Sequence, residues 1–315
     1  MPDTVSGPAH SLPGVSTTVP TPPAYVDADG GRTHDLAPRR RLALSPSRAS
    51  DFKQCPLLYR FRALDRIPET PTKAQVKGSV VHAALEALFA LPATDRVPDR
   101  ARALVEPAWE RLLAESPEFA DLIASDERGR FLTEARRLVA GYYKLEDPTR
   151  FEPEACELRV ETELDDGVPL RGFVDRIDVS PTGLVRVVDY KTGRAPWEMG
   201  ETKALFQMKF YALVLLRTRG VVPTQLQLLY LADAQALTYH PDEDELRRFE
   251  RTLSAIWKAI VASGESGDFR PNPSRLCDWC DHKTRCPAFG GTPPPYPGWP
   301  DVSPGASSDF EETVE

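Results

Sequence analysis

LRGFVDRIDVSPTGLVRVVDYKTGR, residues 170–194, decides how this chain is to be read. Two apolar stretches flank Ser180-Pro181-Thr182-Gly183, a composition that predicts two β-strands joined by a turn. Strand alternation puts Phe173, Asp175, Ile177 and Val179 on one face of the first strand. It puts Val185, Val187, Asp189 and Lys191 on one face of the second. Each row carries a carboxylate where an apolar residue belongs, and the second ends in Asp-x-Lys. Two buried carboxylates raise each other's pKa unless a cation holds them, so a divalent metal is the natural third party. An adjacent ammonium can orient an attacking water or offset charge developing on a phosphate. The plainer alternative is a structural Asp189–Lys191 ion pair at the end of a sheet. Arg176 and Asp178 fall on the opposite face, as solvated or structurally paired groups.

Outward from this stretch, Glu154–Leu164 alternates as well. Cys156, Leu158, Val160, Thr162 and Leu164 form one row, with Cys156 as a core thiol, and Glu157, Arg159, Glu161 and Glu163 form the other. Downstream, Lys203–Arg219 predicts a helix that carries Gln207 and Tyr211 on one face. Strands at 225–231 and 236–239 follow, then a helix over 241–263 with an acidic first turn. Upstream, Lys73–Leu91 is an amphipathic helix with His82 near its start. Helices over Asp99–Glu115 and Asp126–Leu145 form an inserted layer in which we find no chemistry. Ser45-Pro46 is an N-cap followed by a first-turn proline, and the helix it starts ends at Cys55-Pro56. In the next piece Tyr59, Arg60, Phe61 and Arg62 interleave aromatic and basic groups. That suits phosphate and base contacts, or simply a surface helix with arginines.

The 315 residues carry a net charge of −8 and 41% apolar residues, enough for a sizeable core. Residues 1–40 contribute −1 and residues 291–315 contribute −5, which leaves −2 for the body. That balance neither supports nor excludes DNA, because a binding groove needs a local basic patch rather than a basic protein. No apolar run is long enough to cross a bilayer, and the N-terminus lacks a signal pattern, so the expectation is a cytoplasmic protein without membrane attachment. Residues 1–40 are rich in Pro, Thr, Gly and Ala, and residues 290–315 are Pro/Gly-rich and then acidic. Both read as disordered tails around a folded domain at 41–289.

In a reducing compartment the five cysteines are ligands or core residues rather than disulfides. Cys277, Cys280 and Cys286 have metal-ligand spacing. His282 would complete a Cys₃His zinc site, and spacing alone puts zinc ahead of a cluster. Cys55 would instead make a Cys₄ site for zinc or an iron–sulfur cluster and clip the two ends of the body together.

Taken in order, LSPSRASDFKQCPLLYRFR, GSVVHAALE, GFVDRID, VVDYKTG, QMKFYA and CDWCDHKTRC strongly resemble the RecB-family exonucleases of the PD-(D/E)xK superfamily, across roughly residues 44–288. The likeness is nearest to the iron–sulfur branch, which includes repair-complex nuclease domains and CRISPR-associated spacer-processing exonucleases. It implies an α/β, restriction-endonuclease-like fold, with a central mixed sheet flanked by helices, a helical insertion and an iron–sulfur clip. It implies Mg²⁺ or Mn²⁺ held by His82, Asp175, Asp189 and the Tyr190 carbonyl, with Lys191 catalytic and Gln207 and Tyr211 bordering the site. Cys55, Cys277, Cys280 and Cys286 match the one-plus-three pattern of a [4Fe-4S] cluster, which reverses the preference for zinc. Arg48, Tyr59, Arg60 and Arg62 become the expected DNA contacts. The activity implied is metal-dependent DNA exonuclease action on single-stranded or frayed ends in repair. The alternatives are a non-catalytic iron–sulfur DNA-binding subunit and a CRISPR spacer-processing nuclease. No phosphate loop of the GxxxxGK[ST] kind is present, so unwinding would fall to a separate helicase.

Overall fold

The computed structural model describes residues 42–195 and 198–300, with backbone alone for 198–203. The expected tail at 1–40 and the acidic end at 301–315 lie outside the described residues. The chain enters through α1 (Pro46–Gln54), where the Ser45 hydroxyl accepts from the Arg48 N–H at 3.2 Å, and α2 (Pro56–Tyr59), which runs into a wide turn over Arg60–Leu64. α3 (Lys73–Phe89) opens with a Thr72–Gln75 capping box. The helical layer follows: α4 (Pro98–Ala103), α5 (Val105–Glu115), α6 (Phe119–Leu122) and α7 (Arg128–Tyr142). The single helix expected over 99–115 is thus two. Pro107 has no N–H to bond the Ala103 carbonyl one turn back, and the helix breaks there.

Five strands make one mixed sheet in the order β1 (Ala155–Glu163), β2 (Pro169–Val179), β3 (Val185–Lys191), β4 (Gln225–Tyr230) and β5 (Gln235–Tyr239). Only β3 and β4 run parallel, and α8 (Glu198–Arg219) is the crossover that a parallel pair requires. α9 (Glu243–Ser266) is capped by Asp242 and closed by Gly267 in the left-handed region at φ 70°. One face of the sheet buries α1, α2, α8 and α9, among them Leu57, Phe210, Leu213 and Leu253. The other buries α3, α4, α5 and α7 around Val80, Leu85, Trp109 and Val139.

The strand faces depart from simple alternation at one place. Leu158 and Val160 of β1 belong to the α8 side, whereas Cys156 packs on the α3 side. On β2, Val174 and Ile177, three residues apart, both face α8. Both strands therefore turn over at the position where Glu157 faces Asp175, and Glu157 holds a φ of +48° that non-glycine residues seldom adopt. This corrects the expected row. Phe173 is 54% exposed and Val179 is 37% exposed, while Ile177 alone of the apolar set is buried.

Arg176 is fully buried and structurally paired, the second of the two expectations. Its guanidinium pairs with Glu146 at 2.7 Å and Asp178 at 3.0 Å, and donates to the Tyr190 hydroxyl at 2.5 Å and the Tyr142 hydroxyl at 3.2 Å. A charge this deep is tolerable only with such a full set of partners.

Residues 290–300 also correct the sequence reading, which placed them in a disordered tail. They form a strap on α9: Tyr296 donates to the Gly264 carbonyl at 2.6 Å, and Trp299 packs beside Trp257 with ring centres 6.5 Å apart. Arg60 donates to the Pro294 carbonyl at 2.6 Å. Three aromatic or cationic anchors outweigh the proline-rich composition, because apolar area buried on the domain stabilises the ordered form. Gly264 admits the Trp299 ring so closely that a Cβ would lie 1.9 Å from it. In an unobstructed helix Gly→Ala stabilises by about 1 kcal/mol. Here Gly264→Ala should destabilise by about 1–3 kcal/mol in urea unfolding, because it overpacks the Trp299 seat. A gain in stability would mean the strap is not docked.

Candidate metal centre

The site forms where the sheet parts. β2 pairs with β3 only over Arg176–Val179, and further upstream its edge takes Leu44 instead, through Arg171 N–H to the Leu44 carbonyl at 2.9 Å. At the point of divergence the Tyr190 N–H donates to the Asp175 carboxylate at 2.7 Å, so a side chain stands in for the strand partner. α3 brings His82 over this gap. Its Nε2 lies 3.0 Å from the Tyr190 carbonyl oxygen, and its Nδ1 lies 3.4 Å from Asp175 and 3.8 Å from Glu157.

His82, Glu157 and Asp175 each place a donor atom within 4.8 Å of the other two. One imidazole, two carboxylates and a nearby backbone carbonyl make a mixed nitrogen and oxygen set, which suits a hard or borderline divalent cation. Glu157 was missed from the sequence, where it reads as a solvent-face residue of an ordinary strand. Only the left-handed turn at that position aims it inward, and nothing in the pattern signals the turn.

Asp189 lies on the α8 side of the gap and is buried, outside the group of three. Its carboxylate meets the Lys191 ammonium at 2.5 Å and accepts from Gln207 Nε2 at 2.8 Å. Lys191 in turn donates to Gln207 Oε1 at 2.9 Å, and Gln207 Nε2 lies 3.1 Å from the Tyr211 hydroxyl. The amide thus clamps acid and amine together. Tyr211 can approach because β2 carries Gly172 beneath it, where a Cβ would lie 2.8 Å from the ring. The residues expected on the metal from sequence therefore sit in two adjoining sets, coupled by charge.

That coupling sets the protonation. Burial opposes the imidazolium of His82, but the Glu157 carboxylate and the Asp175 and Asp189 charges outweigh it and push His82 up to about 9. Burial, then repulsion from Asp189, pushes Asp175 up to about 7. A pocket this rich in acids holds protons where a cation would otherwise sit. A cleft of about 750 Å³ leads to it, lined by Gln75, Ser79, His82, Glu86, Glu157 and the exposed Phe173.

Cys55, Cys277, Cys280 and Cys286 line one small cavity of about 40 Å³ between α2 and the C-terminal loops, as free thiols. The Asn272 N–H points at the Cys55 sulfur at 3.4 Å and the Ser274 N–H at the Cys277 sulfur at 3.3 Å. Among the described residues, no three of these sulfurs gather within 4.8 Å of one another. His282 is buried with Nε2 2.7 Å from Glu69 and its ring against Phe61.

The expected DNA contacts are largely used by the fold itself. Tyr59 is fully buried, and burial pushes its hydroxyl up to about 12. Arg60 is 6% exposed and pairs with Asp65 at 3.1 Å. These two are corrected to structural residues, because their ring and guanidinium face the core and the strap. Arg62 bridges Glu69 at 2.8 Å and Asp51 at 2.6 Å, and Arg48 donates to the Ala43 carbonyl at 2.7 Å.

A pH dependence follows from the two raised groups. The folded state holds protons that the unfolded chain has released, so stability from Asp175 is present below 3.8 and is lost as pH rises through about 7. The His82 contribution is present below 6.5 and is lost as pH rises through about 9. Metal-free protein should therefore melt lower as pH rises across this window, and Asp175→Asn should flatten the acidic part of the curve. Divalent cation should raise Tm more above pH 7 than below it. An Asp175→Asn curve parallel to wild type would contradict the assignment.

The chain is similar to known proteins in both sequence and fold. The chain is 26% identical over 270 residues to the gene 69 protein of Mycobacterium phage D29, covering 78% of this chain and 96% of that one. A crystal structure from Eubacterium rectale, described as an exonuclease, shares the fold with a TM-score of 0.53 at 15% identity, over 76% of this chain and 87% of that one. The sequence pattern of the PD-(D/E)XK nuclease superfamily matches residues 43–287. With that match spanning most of its length, the chain belongs to the PD-(D/E)XK nuclease superfamily.

Proposed function

We propose that this nuclease is a metal-dependent DNA exonuclease of the RecB-like, iron–sulfur branch, which hydrolyses phosphodiester bonds at single-stranded or frayed ends in repair. The observation that carries the reading is the meeting of His82, Glu157 and Asp175 beside the Asp189–Lys191–Gln207 clamp. His82, Glu157 and Asp175 would hold Mg²⁺ or Mn²⁺, with the Tyr190 carbonyl beside them. When bound, such an ion polarises a phosphoryl oxygen and lowers the pKa of a coordinated water. Asp175 would have to release its proton to hold the cation. Lys191, held on two sides by Asp189 and Gln207, presents its ammonium to charge that develops on the phosphate. Tyr211 keeps the Gln207 amide in the orientation that serves both partners. The chemistry needs no covalent intermediate.

We read the four thiols as ligands of a cluster rather than of one zinc ion, on their one-plus-three order in the sequence. Tetrahedral zinc–thiolate bonds of about 2.3 Å would draw four sulfurs to about 3.8 Å of one another. The open spacing here and the mostly apolar lining favour a [4Fe-4S] cluster, with His282 committed to Glu69 instead. Its role would be structural, clipping α2 to the C-terminal loops.

With 5′- and 3′-labelled single strands and added Mg²⁺ or Mn²⁺, wild-type protein should degrade DNA from an end. Lys191→Ala should lose about 100-fold or more in rate. Gln207→Ala, which loosens the clamp, should lose about 10–100-fold. Cleavage undiminished in both Asp189→Ala and Lys191→Ala would remove this site from the chemistry, and binding without cleavage by wild type would favour a non-catalytic subunit. Anaerobically purified protein should be brown and carry iron and sulfide, and Cys55→Ser should bleach it and lower Tm. A colourless, zinc-loaded protein with an unchanged melting curve would overturn the cluster.

A further inference from the structure

The acidic cleft over the metal centre leaves a question that any polyanionic substrate raises, namely what attracts it. The arginines expected to do so are turned inward or paired. A second cleft, of about 490 Å³, opens on the other side of the N-terminal half of α3. Four cations line it: Lys77 from α3, Arg137 from α7, Lys144 just beyond α7, and Arg194 three residues after Lys191.

Three of these four charges gather in one cleft without a partner among the described residues. Lys77 is paired with Glu134 at 2.7 Å, but Arg137, Lys144 and Arg194 are exposed and have no ion pair or side-chain hydrogen bond among the described residues. The two acids present are already engaged, Glu134 by Lys77 and by Arg130 at 3.3 Å, and Asp233 by the Ala195 N–H at 3.2 Å. Elsewhere on this acidic chain most arginines sit in ion pairs. Three unpaired cations from separate segments repel one another, and a ligand with spaced negative charges would relieve that repulsion.

Position ties the cleft to the catalytic strand. Thr192 and Arg194 line it and follow Lys191 without interruption, and Gly78, which lines the metal-side cleft, packs 3.5 Å from the Thr192 hydroxyl as measured from an added Cβ. The two clefts thus share one wall, the first turns of α3. We propose that this basic cleft binds the sugar–phosphate backbone of the nucleic-acid substrate away from the scissile phosphate. The inserted helical layer, through Arg137 and Lys144, thereby acquires a function. The proposal rests on the nuclease reading given above. Cations spread along an open groove match successive phosphates better than one compact anion, and bases need not be read there.

The test is binding of fluorescent oligothymidylate to full-length protein in EDTA, across a range of NaCl concentrations. Wild type is compared with Arg137→Gln/Lys144→Gln/Arg194→Gln, and with a control of equal charge change, Arg100→Gln/Arg150→Gln/Arg248→Gln. Loss of three phosphate contacts should make the slope of log K against log salt shallower by about 2, roughly 0.7 for each contact on a single strand. Each single substitution should give about a third of that, and the control should keep the wild-type slope. Equal slopes for wild type and the cleft variant, or the same loss in the control, would overturn the cleft while leaving the nuclease reading intact. Wild type that binds no oligonucleotide would overturn both.

Discussion

One hydrogen bond, from the Tyr190 N–H to the Asp175 carboxylate, organises the candidate site of this molecule. In a continuous sheet that amide would meet a backbone carbonyl of β2. Here β2 has turned away, and an acid side chain fills the vacancy in the ladder. The substitution has two effects. It fixes Asp175 at the edge of the gap, and it aims the neighbouring Tyr190 carbonyl at His82. A polar backbone group that cannot go unsatisfied has become the means of holding the Asp175 carboxylate in place. The left-handed Glu157 opposite is part of the same distortion, and strain of that kind persists only where surrounding structure enforces it.

The enforcing structure lies behind the site. Arg176, next to Asp175, reaches through the core to Glu146, just beyond α7, and to the hydroxyls of Tyr142 and Tyr190. The helical layer is therefore bolted to the residue whose amide and carbonyl face Asp175 and His82. Across the sheet, Gln207 of α8 does for Asp189 and Lys191 what Arg176 does for Tyr190. Two helical layers, one on each face, meet through polar contacts at the single place where the sheet opens.

Much of this was readable beforehand, and the reasons are particular. All five strands and the crossover helix follow from hydrophobic periodicity, because apolar residues recur at strand spacing in β3 and β4 and α8 is long. Asp175, Asp189 and Lys191 stand out because a charge in an apolar row is costly. The helical repeat sets Gln207 and Tyr211 on one face, and the family resemblance puts that face at the site. Glu157 could not be found this way, since a backbone reversal and not a residue pattern turns it inward. Phe173 was assigned to the wrong face for the same reason. The arginines at 60 and 62 misled because composition does not say whether a guanidinium has a partner. Asp65, Glu69 and the Pro294 carbonyl supply those partners, the last from far along the chain.

That last contact has a consequence for how the protein is made. Arg60 and Pro294 lie 234 positions apart, and Tyr296 and Trp299 seat on α9 only after nearly all of the domain has been synthesised. On a ribosome the α2 segment, with its half of the thiol cavity, must wait uncovered until the final stretch emerges. Closure of so distant a contact is slow, since the entropy of a long loop is lost before any attraction is gained. Until then the Cys55 thiol has none of the C-terminal loop that lines the other side of its cavity.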